Sequence, residues 1–471
     1  MRRYTVLAVA LLAAVALPQT RPDWPQPIVK GTVIVWGSEA VKGVARQAFD
    51  QFSPNSRKIF VLTGGRDSDT DDWGSVLKAK LVQDGDISAA LAGDAFWIES
   101  VTQNFAKGGE LAALREKGSM VAVSETDLAK GTFDGLVPFT TGAGAKAPSI
   151  GLELDDNAVL VVNGRMVMVR GEGKATFTIP AHGDNPAQSV VVQGRDRADL
   201  VALRRRAIEQ ALPKHPVEKP GVPEVKSGTL FIVGGGGMPD GLLDKFIEAC
   251  GGPDAPIVYV PCEFTEAITA EPSFVRAIRA RGAKNVTWIH TKDRLKADTD
   301  EEFLKPLKDA KGVWYGGGRQ WNLVDSYMDT KAHEMMKDVL KRGGAIGGSS
   351  AGASIQAELL ARGDPLGNTN IIAPGYLRGL GFLPGAAVDQ HFTQRSRHVD
   401  MTALMTEYPQ YLGIGIDEAT AIVVTKTTAE VTGRGQVFFY DYRTKPTKVP
   451  DYTALKTGEK YDLKERKKIE P

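Results

Sequence analysis

The chain is short of the residues that most kinds of protein chemistry depend on: its 471 residues include 2 cysteines, 6 histidines and a formal net charge of +1. Two thiols cannot build a disulfide-dense scaffold or a cysteine-rich zinc site, and no His/Cys/Asp cluster has ligand spacing, so no metal and no other cofactor is expected. A balanced charge argues against a nucleic-acid surface; the basic run KERKK, Lys464 to Lys468, is short and reads as a solvated end. The apolar run Val6 to Leu17, behind Met1-Arg2-Arg3, is too short to span a bilayer but fits the h-region of an export signal. Residues 1–20 are therefore read as a signal peptide, with cleavage after Ala14-Val15-Ala16 or later, and the mature chain as extracytoplasmic, secreted or periplasmic, without a membrane span. An uncleaved tether is the alternative.

Cys250 ends an expected helix (Leu242 to Cys250) and Cys262 follows an expected strand (Ile257 to Val260). That places the thiols at opposite ends of a sheet, beyond disulfide reach, as small buried apolar residues.

What the chain does have is length, far above the ~150 residues typical of one domain, and internal similarity. The proline-rich stretch at 213–226 reads as a linker, and on either side the sequence restarts in similar form. KGTVIVWG (30–37) resembles SGTLFIVGG (227–235), and RKIFVLT (57–63) resembles APIVYVP (255–261). DAFWIESVTQNF (94–105) lies opposite GVWYGGGRQWNL (312–323), and GSMVAVSETDLA (118–129) opposite GGAIGGSSAGAS (343–354). GLELDDNAVLVV (151–162) matches GIGIDEATAIVV (413–424) without a gap. Two diverged tandem copies of one α/β domain are expected, at 30–212 and 227–445, followed by a charged tail at 446–471. Apolar strand runs alternating with helical patterns imply a three-layer α/β/α arrangement with a mostly parallel sheet, whose ligands bind at the carboxyl ends of the strands.

Gly348-Ser349-Ser350-Ala351-Gly352 supplies G-x-S-x-G, with Ser350 at the centre of a sharp strand-to-helix turn. GGAIGG is expected as the strand and SIQAELLA as the helix, whose N-terminus and Ala351 amide can stabilise an oxyanion. Glycines that merely pack tightly are the competing reading, so partners must decide. Two histidines follow Ser350, His391 and His398; His391 sits directly after AAV, an expected strand end. Asp417 and Glu418 lie at a strand-to-strand junction, where a carboxylate can orient an imidazole or simply make a polar turn. The common α/β-hydrolase order, with the acid ahead of a final histidine, fits badly, because no histidine follows His398.

The segments GGRQ, GGSSAGAS, DQHFTQRSR and GIGIDEATAIVV, within roughly 227–445, resemble the cyanophycinases and the dipeptidase E-type serine peptidases, on a fold similar to the class I glutamine amidotransferases. The resemblance implies Ser350 as nucleophile, His391 as base and Glu418 as the residue that orients it. It further implies that Gly317 and Gly318 join Ala351 in the oxyanion hole, and that Gln320, Gln390, Arg395 and Arg397 hold substrate. Guanidinium forks suit a substrate carboxylate. Two positions depart from the family pattern: Asp400 where an arginine is common, and Arg319 where GGNQ has asparagine.

The first copy is expected to be inactive, since Glu125 stands opposite Ser350 and the histidine segment is missing, although Asp156 still faces Glu418. The expected function is an exported serine peptidase that hydrolyses an isopeptide or terminal peptide bond next to an aspartyl residue through an acyl-enzyme. A non-catalytic secreted binding protein and a general esterase remain the alternatives. A homodimer is left open. The first copy is expected to pack on the active half through an apolar interface, with β structure in 163–194 covering an edge.

Overall fold

The computed structural model describes Trp24, residues 31–52, five strands between residues 59 and 141, and residues 150–470. The expected signal peptide and Glu125 lie outside the described residues.

In the C-terminal half, apolar stretches with both faces covered make a parallel core. Along Val225–Val233, Leu230 and Ile232 enter one buried cluster, while Phe231 and Val233 enter another on the opposite face, the alternation a strand imposes. Helices Leu242–Ala249 and Ser273–Ala280 cover the second face, and Gln320–Tyr327 and Lys331–Lys341 the first. The sheet order is Val286–Trp288, Ile257–Cys262, Gly312–Gly318, Ala345–Ser349, Val225–Val233, all parallel. Four antiparallel strands then extend it: Thr420–Lys426, Thr428–Gly433, Lys460–Asp462 and Lys467–Ile469.

A second, five-stranded sheet packs against this one. Ala357–Leu359, Leu383–Gln390 and Leu412–Ile416 run parallel, and Val437–Asp441 and Thr453–Leu455 are antiparallel. The α/β class is as expected, but a single mostly parallel sheet is corrected to two mixed ones.

The N-terminal half has an eight-stranded sheet in the order Lys80–Gln83, Ile59–Thr63, Ala95–Glu99, Met120–Ser124, Thr32–Trp36, Ala158–Asn163, Met166–Gly171, Arg197–Asp199. Its first five strands are parallel and the last three antiparallel. Phe139–Thr141, Ile150–Leu154, Lys174–Ile179 and Gln188–Gln193 form a smaller sheet.

Three expectations change at the boundaries. The tail is folded onto the sheets, although Lys464, Glu465 and Lys467 of KERKK are exposed: three of its segments are strands, Leu455, Tyr461 and Leu463 are buried, and the Tyr461 ring stacks on Phe439 at 3.9 Å. The charges of KERKK concealed the anchoring residues just before them. The linker is docked, not free, with His215 Nε2 bonded to the Leu377 carbonyl (3.1 Å), the Val217 amide donating to Tyr411 Oη (3.1 Å), and a strand already begun at Val225. The joint between the halves is also more polar than expected: Arg165 and Arg205 approach Asp325, whose side chain is fully buried, at 3.0 and 3.7 Å. Cys250 and Cys262 are free and buried, with Cys262 inside its strand.

Candidate active site

The site forms where the two C-terminal sheets meet. Ala345–Ser349 ends at Ser350, held at φ 57° and ψ −113°, a conformation that costs an L-residue of order 1–3 kcal/mol and persists only where its surroundings dictate it. The flanking glycines explain how it is held. A Cβ on Gly348 would lie 2.2 Å from the Gly352 carbonyl oxygen, and one on Gly352 would lie 2.3 Å from that of Tyr315. The backbone therefore crosses itself at van der Waals distance, and only glycine fits on either side of the serine.

The helix beneath Ser350 is shorter than expected. It spans Ala351–Ser354 and gives way to a strand at Ala357–Leu359. Amides of Leu380, Leu383 and Gly381 take the carbonyls of Ile355, Gln356 and Ala357, so the helical ladder has no acceptors left to continue. A four-residue helix has little macrodipole, which leaves individual amides as the source of oxyanion stabilisation.

His391 follows Leu383–Gln390 of the second sheet, and its amide donates to the Gly234 carbonyl at 2.8 Å. Ser350 Oγ lies 2.9 Å from His391 Nε2, and His391 Nδ1 lies 2.6 Å from Glu418 Oε1. With Nδ1–H donating to the carboxylate, Nε2 is left free to accept the serine proton. Glu418 sits where the chain passes from Leu412–Ile416 in one sheet to Thr420–Lys426 in the other. The neighbouring Asp417 does not reach the imidazole but ties loops together, since its buried carboxylate accepts from the amides of Thr393 and Gln436, both at 3.0 Å. His398 stands apart, bonded to Tyr440 Oη at 2.8 Å within an aromatic cluster. Burial holds the His391 pKa below its usual 6.5, with the Glu418 hydrogen bond opposing that fall and the positive charges of Arg395 and Arg397 adding to it.

A glycine run that the sequence reading passed over makes room for this arrangement. A Cβ on Gly235 would lie 2.4 Å from the His391 ring, and one on Gly236 would lie 2.4 Å from the Glu418 carboxyl carbon. Four consecutive glycines after the strand FIV were the available signal.

The predicted supporting residues divide. Gly317 borders the nucleophile, since a Cβ there would lie 3.5 Å from Ser350 Cβ, and Ala351 follows it in the chain. Gly318, at φ 140°, packs instead over Cys262, whose thiol donates to the Arg319 carbonyl at 2.8 Å. Gln320, Gln390 and Arg397 are buried and engaged within the protein. Gln320 Nε2 donates to the Ala361 carbonyl (3.0 Å), and Arg397 Nη1 donates to Asp389 Oδ1 (2.8 Å), the Gln390 carbonyl (2.6 Å) and Gln390 Oε1 (3.2 Å). All three therefore meet partners inside the protein. For Arg397 the cause is Asp389, a fully buried carboxylate that requires its guanidinium and that of Arg362, whose Nε lies 2.9 Å away. Arg395 is exposed and, among the described residues, makes no side-chain ion pair. The two departures are also accounted for internally: Asp400 pairs with Arg362, and Arg319 Nη2 donates to the carbonyls of Asp364 and Gly367. Neither Arg362 nor Asp389 was singled out from sequence, because nothing in their spacing reveals a long-range pair.

Residues 230–432 match the model of peptidase family S51. A cyanophycinase from Geminocystis herdmanii is 30% identical over 203 residues, 42% of this chain and 74% of its own length. One from Trichormus variabilis is 28% identical over 250 residues, 52% of this chain and 80% of its own. Among solved structures, a peptidase from an acI-B1 Actinobacterium is 22% identical, covers 50% of this chain and 97% of that one, and has a TM-score of 0.39, a likeness too weak to carry an argument.

Proposed function

The chain belongs to peptidase family S51 and is a serine-type peptidase; from that premise we propose that Ser350, His391 and Glu418 perform acyl transfer on an isopeptide or terminal peptide bond next to an aspartyl residue. The observation that carries the reading is the pair of contacts, 2.9 Å from Ser350 Oγ to His391 Nε2 and 2.6 Å from His391 Nδ1 to Glu418 Oε1.

Ser350 Oγ attacks the scissile carbonyl as its proton passes to His391 Nε2, and Glu418 stabilises the imidazolium that forms. The amide of Ala351, with that of Gly317 beside it, receives the developing oxyanion. The imidazolium then protonates the leaving amine. Water, deprotonated by the same imidazole, cleaves the acyl-enzyme and regenerates Ser350. Arg395, exposed and without an ion pair among the described residues, is suited to a substrate carboxylate. The aspartyl preference follows the relatives' name, cyanophycinase.

The same proposal includes tandem duplication on a class I glutamine amidotransferase-like fold. It is supported by strand order: in each half five parallel strands have the strand that comes first in the chain in fifth place, followed by antiparallel partners in chain order. It also includes export, which the basic start and the apolar run Val6 to Leu17 support. Among the described residues no helix is long and apolar enough to cross a membrane.

The test is a screen of the purified chain against β-aspartyl-arginine, β-aspartyl-lysine, α-peptides, cyanophycin and simple esters, with products identified by mass spectrometry. Hydrolysis of a β-aspartyl substrate, lost by about three orders of magnitude or more in Ser350→Ala, is expected. Unchanged hydrolysis by that variant would sink the assignment, and exclusive ester cleavage would favour a general esterase.

A further inference from the structure

We propose that Arg165, in the N-terminal half, is a positioning residue of the active site in the C-terminal half, acting through Trp321 and Asp325 on the loop that borders Ser350. The proposal rests on the serine-peptidase reading of Ser350.

Arg165 occupies the tip of a two-residue hairpin between Ala158–Asn163 and Met166–Gly171, with Gly164 ahead of it at φ 56°. Asp199 fixes the guanidinium from its own half: Asp199 Oδ1 accepts from Arg165 Nη2 at 2.9 Å, and Oδ2 accepts from Nε. The same carboxylate caps helix Leu200–Glu209 through the Ala202 amide at 2.8 Å, so the arginine is anchored to a regular element and not to a free loop.

Its outward face meets one element of the other half. Arg165 Nη1 donates to Asp325 Oδ2 at 3.0 Å and Nη2 to Tyr376 Oη at 2.8 Å, while the guanidinium carbon lies 4.3 Å over the Trp321 ring. Tyr376 Oη in turn donates to Asp325 Oδ1 at 2.9 Å. Trp321 and Asp325 are one helical turn apart on Gln320–Tyr327, all of whose residues are buried. This helix begins directly after Gly317-Gly318-Arg319, and Gly317 borders Ser350. A change in the set of the first helical turn therefore moves the peptide that faces the nucleophile, and oxyanion donors tolerate only tenths of an ångström.

Stability alone is a poor account of the arrangement. A buried ion network costs desolvation on every member and is often matched by apolar residues of similar volume, whereas it does impose one orientation on the planar fork and its partners. The joint uses this costly form at the helix that carries the site's loop.

The experiment compares the full chain with Arg165→Met and with the triple variant Arg165→Met/Asp199→Asn/Asp325→Asn, which also neutralises the two buried carboxylates that pair with Arg165. Four quantities are read: the rate at which a fluorophosphonate reagent labels Ser350, kcat and KM on a β-aspartyl peptide, and the thermal midpoint. The labelling rate and kcat are expected to fall about tenfold or more in both variants, with KM within about twofold. Arg165→Lys is expected to recover the thermal midpoint more than the rates, because a point charge cannot reproduce the fork or its stacking on Trp321. Folded variants that label at the wild-type rate overturn the proposal, whatever their midpoint, since a joint that only stabilises would lower the midpoint alone. If the wild-type chain labels but hydrolyses no β-aspartyl peptide, the substrate reading fails, and the labelling rates still decide the role of Arg165.

Discussion

Asp400 Oδ2 lies 2.6 Å from Arg362 Nη2, and the guanidinium it meets is 2% exposed and already bonded to Asp389. The acidic residue that departs from the family pattern is thus the outer partner of a buried arginine, and its charge is answered inside the protein. Asp400→Arg should set a second cation against Arg362 and destabilise the chain by about 1–3 kcal/mol. Asp400→Asn keeps an acceptor and should cost less, about 1 kcal/mol or under, because Asp400 is partly open to solvent. Urea unfolding of both variants checks the order; equal stability would show that the pair contributes nothing.

The acid limb of activity reports His391. As the base it must be neutral, so kcat/KM should rise with pH and level off above an apparent pKa that burial holds below 6.5. Glu418 is the influence that raises this pKa, so Glu418→Gln should shift the limb to still lower pH while reducing kcat by about a hundredfold or more. A pH–rate profile of each enzyme is the measurement. A limb that moves upward in the variant would contradict the assigned hydrogen bond.

Acid stability should depend on His333. Its Nδ1 accepts from the Asp329 amide at 3.2 Å and its Nε2 donates to the Leu380 carbonyl at 2.9 Å, so the buried ring is neutral, with a pKa depressed by burial from 6.5 to about 3. The unfolded chain takes up the proton first as pH falls. Stability from this group is therefore complete above about pH 6.5 and declines toward pH 3, by up to about 1.4 kcal/mol per pH unit. His333→Gln should be less stable near neutrality but lose less on acidification, read from denaturation midpoints at several pH values.

Gly348→Ala should abolish the elbow. The added methyl group would fall 2.2 Å from the Gly352 carbonyl oxygen, a backbone atom that cannot rotate away. Loss of soluble protein, or folded protein that no longer reacts with a serine-directed reagent, is expected. A fully reactive variant would show that the turn relaxes at little cost.

A fragment beginning near Pro223 should be less stable than the full chain. Without the N-terminal half, Asp325 loses Arg165 at 3.0 Å and Arg205 at 3.7 Å while keeping a side chain that is fully buried in the intact protein. Dynamic light scattering and thermal melts are expected to show aggregation or a lower midpoint, partly relieved by Asp325→Asn. A monodisperse fragment as stable as the parent would make the first half a passenger.

Much of the site was legible because its chemistry depends on local chain geometry. G-x-S-x-G around Ser350 follows from the close approach of Gly348 and Gly352, and the strand ends before His391 and Glu418 follow from short apolar runs. The helix after Ser350 is shorter than SIQAELLA suggests because that segment has good helical propensity, and propensity yields when amides from 380–383 take the carbonyls. The tail looks solvated in sequence because its charges outnumber Leu455, Tyr461 and Leu463, each of which is buried by contacts with residues distant in the chain.

By itself the sequence determined the α/β class and the glycine-flanked turn at Ser350, since each rests on periodicity or on spacing within a few residues. Only the tertiary structure decided which polar residues face the solvent and which face one another. It gave Gln320, Gln390 and Arg397 partners within the protein, gave Asp417 and Glu418 different partners, and brought Arg165 to Asp325 from 160 positions away in the chain. A charge in a sequence carries no information about its counter-charge, because the pairing energy depends on a distance that only the folded backbone sets.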